Sequence, residues 1–269
     1  MLNGKKLLCE KPFPIRYLFL LIVAFGPLPL TAMQQEGVAP PSPVVRRIAA
    51  AQKKVQTNPS AQSYNDLAFA LCRLARDKGD PALYNQANSA LQHSLQLAPD
   101  NYDAEKLQVT VLLGQHEVAQ ALKLATALNQ RTHDDIGGWG LLVDANIAAG
   151  NTPEAERDAQ WILDLRPGSS LGFEKAAGLR EIFGDTEGSI EFLEEAERRT
   201  SQNDADGRAW LLTQEARLQI KAGNRKRAGE LLDEALKLFP DSQLALSELA
   251  KLRTSEGSPP APVAQRVAR

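Results

Sequence analysis

Five times along the 269-residue chain a glycine is followed by Asp, Gln or Asn and then by a second helical pattern: Gly79-Asp80, Gly114-Gln115, Gly150-Asn151, Gly184-Asp185 and Gly223-Asn224. The intervals are 35, 36, 34 and 39 residues. A period near 34 residues is that of stacked helix–turn–helix units. One helix pair exposes an apolar face that it cannot cover alone, so each pair is stable only against its neighbours, and the ends need polar caps. The pattern therefore predicts an all-α solenoid whose concave side presents a surface to another chain.

The composition agrees. Aromatic residues make up 6% of the chain, while alanine and leucine abound, which favours helices packed closely through small residues. No Val/Ile/Thr alternation marks a strand. The net charge is −2, and leaving out the first 32 residues leaves 27 basic against 32 acidic side chains. A mildly acidic chain gives no electrostatic reason to expect nucleic acid as a partner.

Lys5, Lys6, Lys11 and Arg16 precede the apolar run 17–25. Gly26, Pro27 and Pro29 then break the pattern before Leu30-Thr31-Ala32. Basic, apolar, breaker, small is the order of a secretory signal, so residues 1–32 are expected to be a signal peptide cut after Ala32. The apolar core falls short of the ~20 residues of a membrane helix. Leu30 suits the cleavage site poorly, so an uncut anchor over residues 17–30 stays open as a membrane tether. Cys9 precedes the apolar run and is no acylation site. With the signal removed, Cys72 is the single cysteine, and no intramolecular disulfide can form. Cys72 reads as a small buried hydrophobe; the alternative is an intermolecular disulfide.

Residues 33–43, rich in Pro and Gln, read as a disordered linker, and residues 254–269 as a disordered Pro-rich tail. A leading helix is expected at 44–56. The pairs then read as 60–77 with 81–97, 101–113 with 116–129, 134–149 with 152–165, 169–184 with 186–201, and 205–222 with 225–238. A final helix at 241–253 offers Leu244, Leu246, Leu249 and Leu252 among polar residues, as a cap would. Asp100 and Asp241 are N-cap candidates, and the glycines supply the positive φ of each turn. Two insertions stand out: Arg76–Pro81, which widens the first turn, and the polar stretch Thr200–Gly207 before the last pair.

Tyr64-Asn65-Asp66-Leu67-Ala68 with Leu71 resembles the first helix of a tetratricopeptide repeat, and Trp139, Leu142 and Val143 repeat the pattern, as do Phe173, Ala176 and Ala177. Five residues after the last four turn glycines come Ala119, Ala155, Ser189 and Ala228, small residues at the helix crossing. Ala159, Leu193 and Leu232 follow, then Ile162, Ala196 and Ala235. The resemblance covers 59–253 and implies a right-handed superhelical solenoid of about five antiparallel pairs plus the capping helix. Lys106 and Glu215 depart from it where the family places Leu. Lys123 and Thr126 depart in the second repeat, whose register either slips by one, onto Leu122 and Ala125, or packs loosely. The resemblance also implies a groove lined by the first helix of each pair. Projected onto this chain, that face takes in Asn65, Phe69, Gln108, Asp144, Arg217 and Lys221, with a protein or peptide as partner. Family members that grip a C-terminal carboxylate use sets of Lys, Arg and Asn in adjacent repeats, and this face lacks a matching set.

Chemistry has little foothold. His93, His116 and His133 lack metal-ligand spacing. His133-Asp134-Asp135 reads as a loop with an N-cap aspartate, a metal site being the alternative. Gly137-Gly138-Trp139-Gly140 has neither the preceding strand nor the following Lys of a phosphate loop. No catalytic residue, cofactor site or metal site is assigned. Lys221, Arg225, Lys226 and Arg227 form the densest basic cluster, either solubilising charge or a docking point for an acidic partner. Trp139, Trp161 and Trp210 read as packing residues, with Trp210 also a candidate for the groove. The expectation is an exported, non-catalytic adaptor in a cell-envelope assembly, in a bacterial periplasm by resemblance. A membrane-tethered assembly factor is the second reading, and an enzyme built from unfamiliar parts the weakest.

Overall fold

In a computed structural model, which describes residues 43–254, the described chain forms twelve α-helices and no strand. They are α1 Pro43–Thr57, α2 Ala61–Lys78, α3 Pro81–Leu97, α4 Tyr102–Gly114, α5 Val118–Arg131 and α6 Ile136–Ala149. Then follow α7 Thr152–Leu165, α8 Ser170–Ile182, α9 Thr186–Arg199, α10 Ala205–Lys221, α11 Arg225–Leu238 and α12 Gln243–Thr254. The signal and anchor readings, and the tail beyond Thr254, lie outside the described residues. No described helix is long and apolar enough to cross a membrane.

Side-chain caps set most helix starts. Ser60 and Ser63 form a capping box at α2, and Asp80, Asp135, Ser169, Asp185 and Asp204 accept from first-turn N–H groups of α3, α6, α8, α9 and α10. Two caps fall one residue later than expected: Asn101, not Asp100, accepts from Ala104 N–H, and Ser242, not Asp241, accepts from Ala245 N–H. In each case the proline and the residue after it make the turn, and the cap follows.

The turns show what the glycines do. Gly79, Gly150, Gly184 and Gly223 have φ between 63° and 85°. In each case the next residue's N–H bonds back to the carbonyl five residues earlier, as in Asn151 to Asn146 at 2.8 Å. This is the helix-ending left-handed turn. In the second pair the turn belongs to His116 (φ 62°), with Glu117 N–H on Leu112 carbonyl at 2.8 Å. Gly114 is instead the last residue of α4, where an added Cβ would overlap the Tyr84 ring. The register of α5 accordingly slips by two residues, not one. Ala121, Ala125 and Leu128 are buried where Ala155, Ala159 and Ile162 are buried in α7, and Ala119 is exposed. The first turn is not widened either. It is a tight Gly79-Asp80 step, and the extra residues lengthen α3 to 17, against 14 in α5, α7, α9 and α11.

Within pairs, small residues let backbones close. Ala177, Leu193 and Ala196 pack between α8 and α9, and Ser189 Oγ donates to Ala177 carbonyl at 2.8 Å. Departures from the repeat pattern find local partners. Lys106 pairs with Asp135 (3.1 Å) and Asp103 (3.3 Å). Glu215, 2% exposed, pairs with Arg227 at 3.4 Å, and burial pushes its carboxyl up to about 7.

The array curls until its first pair meets its last. Val44 of α1 and Leu74 of α2 share one core with Leu212, Leu231, Leu236, Phe239, Leu249 and Leu252. Around that core, Arg47 and Arg73 converge on the buried Asp206 at 3.2 and 2.5 Å, and Arg73 also reaches Asp204 at 2.9 Å. Asp77 accepts from Ser242 Oγ (2.5 Å) and Gln243 N–H (3.0 Å). Thus α12 does more than cap α11: it closes the solenoid against α2.

Candidate functional site: an axial lumen

Closure turns the concave face into a lumen of about 510 Å³, lined chiefly by the first helices α2, α4, α6, α8 and α10, with Tyr84 of α3 and the loop before α10. Its wall is mixed. Phe69, Tyr84, Leu107, Leu141 and Trp210 supply apolar surface, and Arg73, Arg76, Asp144, Glu174, Lys175 and Asp204 supply charge.

The charges fall into two groups. On the α6–α8 side, Lys175 Nζ lies 2.8 Å from Asp144 and 3.2 Å from Glu174. Burial alone would lower the Lys175 pKa, but the two carboxylates outweigh it and hold the ammonium above the usual lysine range. One cation between two carboxylates leaves a net negative charge, and burial raises the Asp144 pKa despite Lys175. On the α2–α10 side, Arg73 is tied to Asp204 and Asp206. Burial would raise Asp204, but Arg73 and the Gly207 N–H outweigh it and hold its pKa below the usual carboxylate range. Arg76 differs. Its guanidinium lies over the Trp210 ring, 4.4 Å from the centroid, and among the described residues no carboxylate comes within 4.0 Å. Burial lowers its pKa, with Glu174 and Asp206 opposing from a distance; the guanidinium stays charged. Cys72 also reaches the wall, but burial pushes its thiol up to about 12, so it is inert as a nucleophile.

Two of the six residues projected onto the groove, Phe69 and Asp144, line the lumen together. Asn65 is buried between α2 and α3 instead. Its Oδ1 accepts from Ser94 Oγ at 2.7 Å and its Nδ2 donates to Asn101 at 3.2 Å. Gln108 is half-buried beside the lining residue Leu107 but outside the lining. Arg217 lies 4.0 Å from Glu248 and Lys221 3.9 Å from Glu181, both away from the lumen. The basic cluster is dispersed by pairing, since Arg225 donates to Leu252 carbonyl at 2.6 Å and Arg227 turns to Glu215. Trp210 does face the groove.

The missed lumen residues carry a signal in the sequence. Arg73, Leu107, Leu141 and Lys175 follow one another at intervals of 34 residues, and so do Arg76, Thr110 and Asp144. One correctly placed residue extends to the others by the repeat length. The ladder ends at α8, because the loop before α10 shifts the phase and Trp210 comes 35 residues after Lys175.

No protein-family model matches the sequence, and no curated protein does. Solved structures do match. One is a thermophilic TPR protein of Thermus thermophilus. It is 17% identical, with a TM-score of 0.56 over 69% of this chain and 98% of that one. Another is Cut9-Hcn1, the APC/C hetero-tetramer. There the identity is 14% and the TM-score 0.59, over 80% of this chain and 40% of that one. At such identities the likeness concerns fold, and it agrees with the helix pairs, turns and small-residue crossings described above. The chain is, in fold, a tetratricopeptide-repeat solenoid.

Proposed function

We propose that the protein is an exported, non-catalytic interaction scaffold that holds a short segment of a partner protein in its axial lumen, within a cell-envelope assembly. The observation that carries this reading is the incomplete charge pattern of the lumen. Arg76 stacks on Trp210 without a carboxylate, while Asp144 and Glu174 share a single lysine across the cavity. A segment bearing a carboxylate toward Arg76 and a donor toward Asp144 or Glu174 completes both. The lumen volume lies within the roughly 300–1,000 Å³ of ligand sites, room for a few residues and not for a folded domain. Phe69, 44% exposed, offers the segment apolar contact. Export is supported by the basic, apolar, breaker, small order of residues 1–32.

The test is photo-crosslinking in the native envelope, with benzoylphenylalanine in place of Phe69. A captured partner should be lost when Arg76→Glu is added. The reading fails if the same partners are captured with and without Arg76→Glu. The intact mass of the same preparation reports export, with about 32 residues expected to be missing.

A further inference from the structure

Away from the lumen, and sharing no lining residue with it, an open groove of about 530 Å³ runs between α5 and α7 with α6 as its floor. Two indoles dominate it. The Trp139 and Trp161 rings lie 5.7 Å apart at an interplanar angle of 44°. Trp139 is fixed by its Nε1–H bond to His133 carbonyl at 2.8 Å. Trp161 is 47% exposed, and its indole N–H has no hydrogen-bond partner among the described residues. On the α5 wall, Thr126 turns its hydroxyl back onto Leu122 carbonyl at 2.8 Å. The rim is acidic on balance: Arg157 pairs with Glu154 at 3.0 Å, and among the described residues Asp158 accepts only from Asn146 Nδ2, at 2.9 Å.

Tilted aromatic faces with a free N–H donor suit a proline-rich segment. Its rings pack on the aromatics, its carbonyls need donors, and its extended form is set in advance by the fixed proline φ, so little entropy is lost on docking. An acidic rim adds a preference for a basic neighbour. The sequence contains such a segment, Ser258-Pro259-Pro260-Ala261-Pro262 followed by Arg266 and Arg269. It begins four residues after Thr254, the last residue of α12, and its two arginines complement the acidic rim. The comparable run Ala39–Pro43 leads straight into α1, whose Arg47 is held by Asp206. We propose that the Trp139/Trp161 groove is a docking site for the proline-rich segment 258–269 of this chain.

The experiment uses the full-length purified protein with benzoylphenylalanine in place of Thr126, and maps crosslinks by mass spectrometry. Crosslinks are expected within residues 255–269. Their yield should fall about tenfold in Trp161→Ala, as for loss of an aromatic anchor, and also when Pro259, Pro260 and Pro262 become Ser. A synthetic peptide of sequence 255–269 should compete. Glu154→Lys, on the exposed rim, should weaken the crosslink and supplies the readout if Trp161→Ala loses its helical circular dichroism. Crosslinks found only elsewhere, or yields unchanged by the proline and Glu154 substitutions, overturn the proposal.

Discussion

Where α8 meets α9, the contact is Ala177, Ser189, Leu193 and Ala196, small and medium residues recurring at the repeat period. Where the first pair meets the last, Val44 and Leu74 meet Leu236, Phe239 and Leu252, and Arg47 and Arg73 share the buried Asp206. The first joint resembles every other joint between neighbours. The closing joint has no counterpart, because residues 159 to 166 positions apart in sequence must meet there. A stack of identical units leaves an apolar face at each end. This chain turns the two ends toward each other, and the last helix covers both.

Ending the chain at Asp241 should affect the closing joint most. This removes Ala245, Leu249 and Leu252, all buried, together with the Ser242 contact to Asp77. The expected loss is about 4 kcal/mol, two leucine side chains at ~2 kcal/mol each. Amide exchange should rise in α1 and α2 as well as in α10 and α11. Faster exchange in α10 and α11 alone would mean that α12 is no more than a cap, and unchanged thermal unfolding would mean that it is not even that.

Next in size is Asp206→Ala, which strips two arginines of a carboxylate that is 6% exposed. Removing one partner of a buried ion pair costs about 3 kcal/mol. The control is Asp185→Ala, which removes the Gly188 cap of an interior helix and an exposed contact to Arg180, and should cost about 1 kcal/mol. Equal urea midpoints for the two variants would show that closure adds nothing beyond a local cap.

Glu215 sharpens the contrast inside the last pair, where the repeat pattern calls for Leu. It lies among Arg227 of α11 and the α9 carboxylates Glu194 and Glu197. In the folded state it holds its proton up to about pH 7, whereas unfolded it releases it near 4.5. Between those values the folded chain binds more protons, so this group lowers stability as pH rises from 4.5 to 7, and the loss then levels off. Glu215→Gln should remove that slope and raise stability at pH 8 by on the order of 2 kcal/mol. A parallel pH–stability curve for the variant would place the titration elsewhere.

The helices are legible in the sequence to within two residues at each end, because glycine turns, caps and apolar spacing are local and repeat. The failures share a cause. The His116 turn was hidden because a non-glycine residue at positive φ leaves no compositional mark, and Gly114 beside it invited the wrong register. Of the lumen, Phe69 and Asp144 were legible, and Trp210 only as the alternative to a packing role. Arg73, Arg76, Glu174 and Lys175 were not, because which side of a first helix faces inward depends on how its neighbours are rotated.

What is local was written in the chain: the helices, the turn in four of the five pairs and the small residues at their crossings. All of these rest on contacts a few residues or one repeat apart, which recur and so can be counted. Packing of distant helices is what closes the array, makes its groove a lumen and faces Arg76 into that lumen without a carboxylate. Those outcomes depend on small rotations accumulated over five pairs, which set the side that each first helix turns inward.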